Sequence, residues 1–261
     1  MSANFLSLPS ELRNNIYEQL LVLQQPITCP IRFWRRQLIR RAGATSAFTL
    51  GLLRANKIIH FEASSILYGK NCFDLECRSS EDVALFLERI GRKNASYILH
   101  MNLDFPEFQY LDPTDITIQD DSIGILTKIQ SDCINLKTLT LSLSSTDEME
   151  ARLDALDYPK IVVEALRLVN ARFRAISSLQ EIIVEVYEDG PNDHIRREMK
   201  KHGWIINETK IDEPLDFESS SFGNFDFDSD YRYYRTDSDY GIEADDYDID
   251  NDSDFWRRAA D

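Results

Sequence analysis

Three stretches of this chain repeat one apolar rhythm, and nothing else in the sequence restricts the fold as tightly. They are Ile98-x-x-Met101-x-Leu103-x-Phe105, Leu136-x-x-Leu139-x-Leu141-x-Leu143 and Leu179-x-x-Ile182-x-Val184-x-Val186. In each, the last three apolar positions alternate with period two, as a strand with one buried face requires. The stretches begin 38 and 43 residues apart. That interval has room for a helical crossover, which makes successive strands parallel neighbours.

Helical periodicity fills the intervals. Val83, Phe86, Leu87 and Ile90 form one stripe, opened by the capping candidates Ser79 and Ser80 and stopped by Gly91. Ile125, Leu126, Ile129 and Cys133 form a weaker one, and Val162, Leu166, Val169, Phe173 and Ile176 the longest, with Pro159 at its start. A short helix with Ile195 and Met199 runs to Gly203, and the segments Cys72–Cys77 and Trp204–Ile211 read as flanking strands. Strand–helix repetition of this length is leucine-repeat-like, though longer and looser than a standard leucine-rich repeat.

Ahead of this body lie two further amphipathic segments. Leu12, Ile16, Leu20 and Leu23 line one side of a helix predicted over Leu8–Leu23, with Pro9 in its first turn and Pro26 and Pro30 after it. A second helix, predicted from about Thr49 to Tyr68, carries Leu52, Ala55, Ile59, Ala63 and Ile66, with Gly69 as its C′ residue. Between them sits the densest basic cluster of the chain, Arg32, Arg35, Arg36, Arg40 and Arg41, interleaved with Phe33 and Trp34. It reads as a solvated face or as an anion site.

Charge divides the chain at its other end. Of the net −16, the segment Asp212–Asp261 holds −13, and it pairs 11 aromatic residues with only three large aliphatics, Leu215, Ile242 and Ile249. So little aliphatic surface beside so much like charge cannot offset the entropy of ordering, and the segment is predicted to be a disordered acidic tail. The expected organisation is therefore a helical head over 1–70, a leucine-repeat-like α/β body with parallel strands over 71–211, and the tail over 212–261. The overall class is mixed α+β to α/β.

Chemistry is sparse. The four histidines (His60, His100, His194, His202) and four cysteines (Cys29, Cys72, Cys77, Cys133) lack metal or redox spacing, and no glycine-rich phosphate loop occurs. The reading is a non-enzyme with no cofactor and no metal, its cysteines buried thiols. A global acidic field argues against nucleic acid as a partner. The longest uncharged stretches are too short to span a bilayer, and the opening residues lack the basic and apolar regions of a secretory leader. The expected compartment is cytosol or nucleus.

The run Leu8-Pro9-Ser10-Glu11-Leu12-Arg13-Asn14-Asn15-Ile16-Tyr17-Glu18-Gln19-Leu20-Leu21 resembles the opening helix of F-box domains. With a second block, Leu52-Leu53-Arg54-Ala55-Asn56-Lys57 through Glu62-Ala63 to Ile66-Leu67-Tyr68-Gly69-Lys70-Asn71-Cys72-Phe73, it resembles a fungal group of F-box-like proteins. The Arg-rich connection and the Asn56–Glu62 block depart from the conventional F-box. The resemblance implies docking to a Skp-family adaptor through Leu8, Pro9, Leu12, Ile16 and Leu20. It also implies a place in a cullin-based ubiquitin ligase and a protein target held by the body. Thr138, Thr140 and Ser142, between the apolar positions of the second repeat, are the expected target-facing residues. Two other readings stay open at this point: a scaffold or transcription-linked protein acting through the acidic tail, and an enzyme whose site assembles only in space.

Overall fold

The computed structural model describes residues 5–28, 52–76, 78–156 and 158–210. The Arg32–Arg41 cluster, Cys29, Cys77 and the acidic tail lie outside them. Seven helices occur among the described residues: α1 (Ser10–Leu21), α2 (Lys57–Lys70), α3 (Ser80–Ala95), α4 (Asp120–Asp132), α5 (Leu143–Asp154), α6 (Pro159–Arg174) and α7 (Asp193–Lys201). The strands are β1 (Ile27–Thr28), β2 (Cys72–Asp74), β3 (His100–Leu103), β4 (Phe108–Asp112), β5 (Asp115–Ile118), β6 (Thr138–Leu141), β7 (Glu181–Tyr187) and β8 (Ile205–Thr209).

Six strands form one sheet in the order β1-β2-β3-β6-β7-β8, every neighbouring pair parallel. Strand order follows chain order, the arrangement in which right-handed crossovers lay their helices on one side of a sheet. The three repeats coincide in register: Met101, Leu139 and Ile182 form one row across the sheet, Leu103, Leu141 and Val184 the next. All six are buried, 3 % exposed at most. The leading residue of each repeat is also buried, and each closes the same turn, its N–H donating three residues back: Ile98 to Ala95, Leu136 to Cys133, Leu179 to Ile176. The identical turn explains why the apolar rhythm recurs at positions one, four and six.

Helix starts follow capping chemistry. Ser79 caps α3 in a reciprocal box with Asp82, and Asn192 caps α7 by accepting from the N–H groups of His194 and Ile195. Gly91 ends the first run of α3 with φ +76° and ψ 154°, a conformation essentially reserved for glycine. The stripes of α3, α4 and α6 all face the sheet: Val83, Phe86, Leu87, Ile90, Leu126, Ile129, Val162, Leu166, Val169 and Phe173 belong to one continuous core. At one end of it Trp204 lies between Phe173 and Phe105, with ring centroids 5.7 and 6.1 Å away. The indole N–H donates to Asn170 Oδ1 at 3.0 Å.

Several boundaries differ from the sequence reading. Phe105 and Leu143 are not strand positions: β3 ends at Leu103, β6 ends at Leu141, and Leu143 opens α5. The antiparallel hairpin β4–β5 is an insertion between β3 and α4 that the repeat pattern did not mark. Two residues of the segment between α1 and the Arg-rich stretch, Ile27 and Thr28, pair with β2, so the 1–70 head contributes an edge strand to the body's sheet. α1 ends at Leu21, before Pro26, and α2 starts at Lys57, because Asn56 accepts from the Ile59 N–H and caps it. Gly69 sits inside α2 and not beyond its end. A Cβ there would stand 3.4 Å from the Tyr97 carbonyl, in the turn before β3.

Candidate functional site

The head has its own small core, separate from that of the sheet: Tyr17 and Leu21 of α1 against Ile59, Ala63 and Ile66 of α2. Its polar ties join the two blocks of the F-box-like resemblance residue to residue. Arg13 forks onto Glu62, Nε to Oε2 at 2.9 Å and Nη2 to Oε1 at 2.5 Å, and its Nη1 donates to the Leu8 carbonyl. The Tyr17 hydroxyl donates to Glu62 Oε2 at 3.1 Å. These donors hold the Glu62 carboxyl below its usual range, Arg13 first among them. Burial, followed by the hydrogen bond to Glu62, pushes the Tyr17 phenol up to about 12.

Asn71 closes the other end of the pair. Its amide donates to the Leu21 carbonyl at 2.9 Å and the Leu67 carbonyl at 2.8 Å, and its Oδ1 accepts from the Leu23 N–H at 2.7 Å. One buried side chain thereby satisfies terminal backbone groups of α1 and α2 together. Asn71, more than Pro26, sets where α1 stops.

With Tyr17 and Leu21 turned inward, α1 presents the opposite side outward. Leu12 is 49 % exposed and Ile16 36 %; Pro9 is exposed as well. Leu8 is half-buried, and Leu20 is half-buried against the head core. The five residues named from the resemblance thus divide into an outward set, Pro9, Leu12 and Ile16, and a supporting pair. Val22 and Leu23, 37 % and 38 % exposed, extend the apolar surface past the helix end. Leu23 was legible as the next residue of the stripe, whereas Val22 had no periodic signal.

The second surface is the sheet face turned away from the buried rows. Register sets Asp74, Asn102, Thr140, Ile183 and Ile205 in one row and Cys72, His100, Thr138 and Glu181 in the row before it. Thr138 and Thr140 are on this face and half-exposed, and the Thr138 hydroxyl donates to Glu181 Oε2 at 3.3 Å. Ser142 is a correction: it is buried, its Oγ donates to Asp104 Oδ1 at 2.8 Å and lies 2.8 Å from Ser145 Oγ, and its carbonyl accepts from the Thr146 hydroxyl. Its side chain is used in the turn into α5 and is not offered outward.

Acid collects where this face meets the strand ends. Burial, together with Asp74, Asp104 and Glu185, pushes the Glu76 carboxyl up to about 7. Cys72 donates to Asn102 Oδ1 at 3.0 Å; burial, then Asp74 and Glu185, raises its thiol to about 11. Cys133, on the helix side, is raised by burial to about 12. Both thiols stay protonated at neutral pH and are poor nucleophiles. Among the described residues no three His, Cys, Asp or Glu side chains converge to hold a metal ion, and no helix is long and apolar enough to cross a membrane.

No protein-family model, curated protein or solved structure matches this chain at a significant level.

Proposed function

We propose that this chain is a protein-interaction adaptor, an F-box-like substrate receptor that docks a Skp-family adaptor and cullin through α1 and presents a target on the open face of its sheet. The observation that carries the reading is the two-sidedness of α1. Tyr17 and Leu21 anchor the helix to α2, while Leu12 and Ile16 stand 49 % and 36 % exposed. Large aliphatic side chains gathered on one outward helix side are what a helix-recognising partner covers. Burying an aliphatic side chain from full exposure contributes about 1.5–3 kcal/mol, and Leu12 and Ile16 have 49 % and 36 % of their surface left to cover.

The clamps add a second support. Arg13, Tyr17, Glu62 and Asn71, four polar residues of the resembling blocks, bond within the chain and hold α1 against α2. They fix the helix without consuming its outward side. The reading places the protein in the cytosol or nucleus, where ubiquitin ligases act.

Affinity purification of the full chain from its own cells tests this. A Skp-family adaptor and a cullin co-eluting in near-stoichiometric amounts is the expected result. Their absence, with the chain intact and folded, counts against the receptor reading and leaves a scaffold acting through the acidic segment in its place.

A further inference from the structure

Every crossover of the sheet returns to one edge. Cys72, His100, Thr138 and Glu181 stand in register and β8 begins opposite Ile183, so the turns entering β3, β6, β7 and β8 are neighbours. Hydrogen bonds join them. Asn135 Nδ2 donates to the Ser96 carbonyl at 2.8 Å, the Gln180 N–H to the Lys137 carbonyl at 2.9 Å, and Arg174 Nη2 to the His202 carbonyl at 3.1 Å. These four turns, residues 92–99, 133–137, 172–180 and 199–204, hold no aspartate or glutamate in a chain with 45 of them. They hold instead Arg92 and Lys93, Lys137, Arg172 and Arg174, and Lys200 and Lys201, all exposed. The flanking acids are already engaged: Asp132 by Lys128, Glu181 by the Thr138 hydroxyl and Glu198 by Lys201. Arg92, Lys137, Arg172, Arg174 and Lys200 make no ion pair among the described residues.

We propose that this basic rim docks an acidic segment of a partner protein, whose carboxylates meet Arg92, Lys137 and Arg172 while an apolar side chain covers Ile134. Cations in the last turns of α3, α6 and α7 complement the helix macrodipoles. That accounts neither for Lys137, five residues beyond the end of α4, nor for the lack of any acid across four joined turns. Ile134, in the turn between α4 and β6, is 59 % exposed, more than any other large aliphatic among the described residues. An apolar residue set among unpaired cations matches a protein segment and offers nothing to a phosphate backbone. The whole chain, net −16, repels a long polyanion such as nucleic acid. A short acidic segment senses mainly the rim, because exposed charges farther than about 8 Å are screened at physiological salt.

The test uses the full chain and a fluorescent oligoglutamate peptide with one central leucine, followed by anisotropy at low and moderate salt. Lys137→Gln with Arg172→Gln is expected to weaken binding by about tenfold, and Ile134→Ser by about threefold. Arg54→Gln with Lys160→Gln removes equal charge from exposed positions ahead of α2 and at the start of α6, and is expected to leave binding unchanged. All five positions are exposed, so the unfolding midpoint is expected to stay at that of the parent chain and to separate lost binding from lost folding. Equal effects of the two charge pairs, or none from either, overturn the proposal and leave the cations as complements of the helix ends. Tighter binding of a single-stranded oligonucleotide of matched charge, indifferent to Ile134→Ser, overturns it too, since the rim then reads charge alone. No residue of α1 belongs to the rim, so adaptor capture and this result stand or fall separately.

Discussion

Phe173→Ala is expected to destabilise the fold by about 3–5 kcal/mol, the range for deleting a fully buried aromatic ring. Phe173 is 0 % exposed and sits on the side of α6 that meets the sheet. Its loss removes contact with Trp204, itself 3 % exposed, and through Trp204 loosens Phe105. The surroundings cannot collapse easily into the space, because Asn170 holds the indole by its N–H. Chemical denaturation with urea gives the number directly. A loss under about 1 kcal/mol, well below the range for such truncations, contradicts the packing described for this end of the core.

Asn71→Ala is the second large effect, and its cause is polar. Three backbone groups, the carbonyls of Leu21 and Leu67 and the N–H of Leu23, lose their partner at once. Each buried group left unsatisfied costs about 1–3 kcal/mol, reduced wherever water reaches it. The head is expected to loosen before the sheet, since its small core is a separate cluster from that of the body. Hydrogen exchange resolves the two. Protection should fall across α1 and α2 in the variant while β6 and β7 stay protected. A uniform loss across both would show that head and body unfold as one unit.

The body was legible because its repeat encodes two periods at once. Met101, Leu103, Leu139, Leu141, Ile182 and Val184 announce the buried side of each strand, and the residue three positions ahead announces the turn. What escaped has equally physical reasons. α5 buries Thr146, Met149 and Leu153 in a run dominated by Ser, Thr, Asp and Glu, too weak a stripe to distinguish from a connection. The β4–β5 hairpin turns through Pro113 and Thr114 without a glycine signal, and β1 is two residues long. Ser142 alternates correctly for the outward face but falls one residue past the end of β6, where Asp104 and Ser145 engage its hydroxyl.

The site was legible in part. Leu12 and Ile16 followed from helical spacing together with the resemblance, and both stand outward. Arg13, Tyr17, Glu62 and Asn71 stand within the resembling blocks, but contacts spanning some fifty residues of chain leave no local pattern. The acids that act on Glu76 left no local pattern either: Asp104 and Glu185 lie far from it in sequence.

The central claim is that the outward side of α1 is held open for another molecule. Calorimetric titration of a purified Skp-family adaptor into the full chain, with and without Leu12→Asp, tests it most directly. Leu12 is half exposed, so the substitution is expected to leave the unfolding midpoint nearly unchanged while weakening adaptor binding by about a hundredfold. Undiminished binding by the variant, or a variant that no longer folds, would contradict the account.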